Sequence, residues 1–160
     1  MGNIVLKNRS LAIDRDAMVG ESRWTREQML SAMRTLDQAL AKPTPNREPA
    51  WRSQVLQALG TLEDVMLRQA TELECEDSTF AAIARDQPRL ISRIQQLREQ
   101  YRDLVQQIHS LYEQLSAVDL PETGEIRQRL AWILTAIRHF QSKETDLIFE
   151  ALSLDIGAAD

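Results

Sequence analysis

Cysteine is nearly absent. Cys75 is the single thiol in 160 residues, so no intramolecular disulfide can form, and the chain suits a reducing compartment. A redox role for it has no support, because Glu72, Glu74, Glu76 and Asp77 surround it and neighbouring negative charge raises a thiol pKa. The spacing predicts a half-buried thiol at a helix end. Glycine and proline number only 5 each, too few for a strand-and-turn architecture. Two histidines leave little from which to build a Ser-His-Asp or Cys-His arrangement. A Gly-rich phosphate loop is missing as well. No apolar run approaches the roughly 18 residues of a membrane span. Met1–Leu6 lacks the h-region of a signal peptide, and Leu6 stands where a myristoylation motif needs Ser or Thr. With a net charge of -5, nothing at whole-chain level favours nucleic acid. These absences lead us to expect a cytoplasmic protein without membrane or nucleic-acid partners.

What is present is helical periodicity. Residues 1–22 have no sustained period and read as an N-terminal arm with apolar patches at Ile4–Leu6 and Leu11–Ile13. A first helix over about 24–42 buries Met29, Met33, Leu36 and Leu40, with Thr25 as its N-cap and Gln28 completing a capping box. It ends before Pro43-Thr-Pro45-Asn46. A second begins near Glu48-Pro49 and carries Leu56, Leu59, Leu62, Met66 and Leu73. Gly60 inside it costs up to ~1 kcal/mol relative to Ala, or permits close approach of a neighbour. The third, over about 79–117, carries Ile83, Gln87, Leu90, Ile94, Leu97, Tyr101, Leu104, Ile108, Leu111 and Leu115. Pro88 should kink or divide it. After a turn at Asp119-Leu-Pro121-Glu-Thr-Gly124, a fourth helix runs to about 154. Four such helices joined by short loops predict an all-α, antiparallel up-down-up-down four-helix bundle over residues 23–155, with a tail at 156–160.

The fourth helix carries one anomaly. Ile126, Leu130, Ile133, Ile137, Phe140, Leu147, Ala151 and Leu154 recur in steps that keep one face, and Glu144 stands on that face. A carboxylate there must be paired, metal-bound or protonated, because burying it alone costs several kcal/mol or more.

Two segments resemble a known family. Phe140-Gln-Ser-Lys-Glu144-Thr-Asp-Leu-Ile-Phe-Glu-Ala-Leu152 resembles the fourth helix of hemerythrin-like (HHE cation-binding) domains, where His is followed four residues later by Glu and then by a Leu-Phe-Pro end. Asp86-Gln87-Pro88-Arg89-Leu90 resembles the Glu-His-Pro-x-Leu opening of the family's third helix. The match covers roughly residues 24–152 in helix order and length. The resemblance implies a hemerythrin-like bundle and, in intact members, a di-iron centre held by His and carboxylates from all four helices.

Carried over residue by residue, nearly every ligand is replaced. Gln87 takes the third-helix His position. Arg26 takes the first-helix position, because Arg26, Met29, Met33, Leu36, Leu40 and Gln87, Leu90, Ile94, Leu97, Tyr101 share the offsets 0, 3, 7, 10, 14. On the second helix the His-x-x-x-Glu positions fall near Met66 and Ala70. Phe140 replaces the fourth-helix His, and Glu144 is retained. An alternative register makes His139 the ligand and puts Lys143 at the Glu position. The helical wheel opposes it, since His139 lies far from the centre of the apolar face. His109 lies roughly 33 Å along a straight helix from Gln87. A ferritin-like carboxylate site is excluded too, because no Glu-x-x-His motif occurs.

The resulting expectation is a ligand-depleted relative whose vestigial site comprises Arg26, Met66, Gln87, Phe140 and Glu144. In it, Arg26 replaces the metal's charge by pairing with Glu144, and Gln87 hydrogen-bonds the cluster. Breaking such a buried pair would cost ~3–5 kcal/mol. Met29 and Met33 read as core fillers. Trp24, Trp51 and Trp132 are widely spaced, with one or two packing at helix ends. The Glu72–Asp77 run lacks the Gly and oxygen spacing of an EF-hand. Arg89, Arg93, Arg98 and Arg102, interleaved with Glu99 and Asp103, read as a salt-bridged solvated face. The function expected is a non-enzymatic interaction or regulatory module without a cofactor, acting through a protein partner or self-association. The alternative is a sensor for a metal such as iron, or for a small ligand, with an altered pocket, which a polar-floored cavity at these residues would favour.

Overall fold

The long third helix breaks at Pro88, whose ring disfavours helical geometry for the residue before it. Gln87 accordingly sits at φ -133°, ψ 77°. The computed structural model describes residues 24–42, 48–117 and 122–157, with side chains described as far as residue 153. Helix α1 spans residues 24–41, α2 Glu48–Glu74, α3 Thr79–Asp86, α4 Ile91–Ser116 and α5 Thr123–Gly157. A 3-10 turn at Pro88–Leu90 joins α3 to α4. The helix expected over 79–117 is therefore two helices. The N-terminal arm, the proline turn at 43–46, residues 118–121 and most of the C-terminal tail lie outside the described residues, as does the side chain of Leu154.

Four long helices pack together around one core, and all regular structure among the described residues is helical. None of the described helices is long and apolar enough to cross a membrane. The apolar ladders fill the core largely as their spacing predicts. Met29, Met33 and Leu36 from α1 are buried with Leu59, Leu62 and Met66 from α2. From α4 come Ile94, Leu97, Tyr101, Leu104, Ile108, Leu111 and Leu115, and from α5 Ile126, Leu130, Ile133, Ile137, Phe140, Leu147 and Ala151. Trp51, Val55 and Val65 are buried on α2 as well, which makes its face wider than the leucine spacing suggests.

Named contacts fix which residues sit at each level. Between α2 and α4, Glu63 meets His109, Gln69 meets Tyr101 and the Leu73 carbonyl meets Arg98. Between α4 and α5, Gln114 meets Arg129, Tyr101 meets Phe140 and Arg93 meets Glu150. Between α1 and α5, Leu40 meets Arg127, Asp37 meets Arg138 and Met29 meets Gln141.

One end of the core is closed by a clamp. The buried Trp51 indole N–H donates to the Ala39 carbonyl at 2.8 Å. Arg127 stacks over the Trp51 ring at 4.7 Å and donates to the carbonyls of Leu40 at 2.7 Å and Lys42 at 2.6 Å. Terminal carbonyls of α1, which have no partner within the helix, are thereby satisfied from α5. Near the other end, Ser78 caps α3 by accepting the Ala81 N–H at 3.1 Å, and Phe80 is driven into the core. Gly60 allows close approach: a Cβ there would lie 3.3 Å from Cε2 of Tyr112.

Local expectations are corrected at three places. The helix already includes Trp24, so Thr25 is a buried residue within α1 rather than its N-cap. Cys75 is exposed in the turn after α2, not half-buried. The salt-bridged solvated face of Arg89, Arg93 and Arg102 is present, but its partners lie on other helices and not at Glu99 and Asp103. Arg89 and Arg93 pair with Glu150 of α5, and Arg98 and Arg102 engage Leu73 and Glu74 of α2.

Candidate functional site

Glu144 occupies the α5 face between buried Phe140 and buried Leu147, yet is itself only half-buried. Its carboxyl is pushed above the usual carboxylate range by burial, and the positive charge of Arg26 opposes that rise. Arg26 on α1 is exposed and acts through its field rather than through a contact ion pair. The expected bidentate buried pair is not formed, because the Arg26 side chain is exposed to water. The interaction thus falls in the surface range of ~0.2–1 kcal/mol rather than the ~3–5 kcal/mol of a buried pair.

Buried side chains lie near Glu144. Tyr101 from α4 is 2 % exposed, and its ring packs tilted on Phe140 with centroids 5.0 Å apart. Its hydroxyl donates to Oε1 of Gln69 on α2 at 2.6 Å. Burial, then the negative charges of Glu144 and Glu72, push the Tyr101 hydroxyl far above the usual phenol range. It therefore remains a protonated donor at any physiological pH. Met66, one turn before Gln69, is fully buried. Sequence reasoning took Tyr101 as an apolar rung and did not single out Gln69. The readable signal was that Tyr101 has the one phenol on the α4 ladder, and buried phenols find partners.

Gln87 does not join this layer. Its side-chain amide donates to the Ala151 carbonyl at 2.7 Å, while its backbone N–H bonds the Ile83 carbonyl. Ala151 lies about 10 Å along α5 from Glu144, at 1.5 Å per residue. The expected cluster of Gln87 with Arg26 and Glu144 is thus corrected: the break before Pro88 redirects Gln87 to a lower turn of α5, where it pins the α3–α4 junction. His139 is exposed on α5. His109 is exposed too, with Nδ1 2.6 Å from Glu63 and Nε2 3.9 Å from Glu113.

The donor chemistry here can be tested against a di-iron centre. The layer offers one half-buried carboxylate, a thioether, a phenol locked as a donor and an apolar ring. Iron of this type takes imidazole and several carboxylates, and both histidines point away. Among the described residues no three His, Cys, Asp or Glu are grouped to hold a metal ion. These residues do not fit a di-iron centre.

Two open spaces lie among the described residues. A groove of about 400 Å³ between α1 and α2 is walled by Ser31, Thr35, Gln54, Gln57 and Thr61 over Ala32, Ala39 and Ala58. Thr35 and Thr61 turn their hydroxyls onto Ser31 and Gln57 carbonyls of their own helices. A second cleft, beside Tyr101 between Leu73 and Arg98, encloses about 170 Å³ of space too narrow for water. Neither takes in Arg26, Met66, Gln87, Phe140 or Glu144. Comparison with models of protein families, with curated proteins and with solved structures returns no match to this chain.

Proposed function

We propose that the chain is a metal-free, hemerythrin-like, antiparallel up-down-up-down four-helix bundle without catalytic activity, working in the cytoplasm as an interaction or regulatory module through a protein partner or self-association. The antiparallel arrangement is supported by the contact pairs, in which early residues of each helix meet late residues of its neighbour: Glu63 with His109 but Leu73 with Arg98, and Leu40 with Arg127 but Met29 with Gln141. Helix order and the Pro88 break support the family reading.

The observation that carries the proposal is the packing of Phe140 against Tyr101 beside Glu144. An aromatic pair and a buried thioether fill the level where the resemblance calls for metal ligands. The sensor alternative needs a polar-floored cavity at this level, whereas the cleft beside Tyr101 is too narrow for water and the groove between α1 and α2 is walled by none of Arg26, Met66, Gln87, Phe140 and Glu144. The test is thermal unfolding of the protein with and without ferrous iron under anaerobic conditions. A ligand that binds only the native state raises the melting temperature by mass action. The proposal expects coincident transitions, and an iron-dependent rise would overturn it.

A further inference from the structure

The short helix α3 is held to the bundle by far less than its neighbours are. Of its eight residues only Phe80 is buried, whereas α2 buries seven side chains and α4 eight. Ile83 and Ala84 add partial burial against the core. A lone helix shorter than ~12–15 residues is marginal in water, so α3 persists because it docks.

Its two ends are joints, and each joint begins where the body of the bundle is pinned. Arg98 bonds the Leu73 carbonyl and Arg102 the Glu74 carboxylate, which ties the last turn of α2 to α4. Arg89 and Arg93 bind Glu150, which ties the entrance of α4 to α5. Between these pins the helical ladder is interrupted twice. After α2 the chain turns, with the Ser78 N–H on the Cys75 carbonyl at 3.1 Å. After α3, Pro88 has no N–H to donate, and the Leu90 N–H turns to the Gln87 carbonyl at 2.9 Å. α3 can therefore leave the bundle while the ladders of α2, α4 and α5 stay whole.

Two latches oppose that movement. The Phe80 ring lies in the core at 1 % exposure, and the Gln87 side-chain amide donates to the Ala151 carbonyl of α5 at 2.7 Å. The Ser78 hydroxyl adds a longer bond to the Leu73 carbonyl at 3.4 Å. Segments with few buried apolar side chains open locally at far lower cost than the whole fold. We propose that residues 75–88 form a lid, in which α3 opens as one unit about the turn after α2 and the break at Pro88. Opening releases Phe80 and Gln87, bares the core beneath them and leaves the four long helices packed.

The test is hydrogen exchange of the full chain, followed amide by amide by NMR in sub-denaturing urea. The lid predicts that the amides of Ala82, Ile83, Ala84 and Gln87 exchange through one opening with a common, shallow urea slope. Their exchange should be about 100-fold or more faster than that of Leu104 to Leu111 in α4. Two variants separate a lid from global unfolding. Gln87→Ala removes a latch that both openings release, so α3 and α4 amides should speed up alike, about 3–10-fold. Ile108→Val weakens only the body, so it should speed the α4 amides and leave α3 unchanged. Equal protection of α3 and α4, acceleration of α3 by Ile108→Val, indifference of α3 to Gln87→Ala, or α3 amides with unrelated urea slopes would each overturn the proposal. None of these outcomes depends on whether the bundle binds metal.

Discussion

Tyr101 on α4 and Phe140 on α5 meet ring against ring, with centroids 5.0 Å apart and planes inclined at 58°. The tilt brings the electron-poor edge of one ring toward the electron-rich face of the other, a geometry worth about 0.5–1.5 kcal/mol beyond burial. The pair spans the core between two helices, and Gln69 holds the phenol from a third. Three helices are thus tied together at this level by one ring pair and one hydrogen bond.

Phe140→Ala should therefore lower stability by about 3–5 kcal/mol, since a buried ring is lost and a cavity is left. Tyr101→Phe should cost less, about 0.5–1.5 kcal/mol, because packing persists and one hydrogen bond is lost. Urea unfolding of both variants checks the order; equal losses would refute it.

Glu144 gives the stability a pH dependence of known sign. Its folded pKa lies above its ordinary value, so between those two values the native state holds more protons than the unfolded chain. That contribution is complete at pH below the ordinary glutamate value and is lost as pH rises through the folded value. Glu144→Gln should flatten stability across this window, and unfolding midpoints measured in acetate and neutral buffers should reveal the change in slope.

Arg26 offsets part of this cost at neutral pH through its field. Arg26→Met should destabilise by less than ~1 kcal/mol, the range of exposed pairs. The effect should vanish in the Glu144→Gln background, and a double-mutant cycle with zero coupling would exclude the interaction.

The clamp on α1 predicts a larger loss. Arg127→Ala removes two hydrogen bonds to terminal carbonyls and the stacking on Trp51. The expected cost is about 2–4 kcal/mol, from hydrogen bonds made by a charged donor and a cation–π contact. Amide exchange should report it as faster opening of the last turn of α1.

Gly60→Ala tests the α2–α4 approach. Helix propensity favours Ala by ~1 kcal/mol, while the new Cβ meets Tyr112 at 3.3 Å. The Tyr112 ring is only partly buried and has room to yield. A small net stabilisation, below ~1 kcal/mol, should appear in the melting temperature.

The helices were legible because periodicity is a local property: the steps from Ile94 to Leu115 state which face of α4 is buried whatever packs on it. Pro88 was legible for the same reason, since its effect on Gln87 is steric and local. Partners across the core were not. Arg93 finds Glu150 and Gln87 finds Ala151 only because α4 and α5 lie at one relative height, which no single-chain spacing encodes. The equivalence drawn between Gln87 and Arg26 rested on shared offsets, and the break after Asp86 shifts that register. The roles of Tyr101 and Gln69 stayed hidden because a hydrogen bond between helices leaves no periodic trace.

The proposal of a metal-free core is tested most directly by iron content. On the proposed reading, protein purified from iron-supplemented cells should contain substoichiometric iron and no visible absorption band, because Phe140 packs on Tyr101 beside Glu144. Stoichiometric iron with a visible band, lost on Glu144→Gln, would contradict the account.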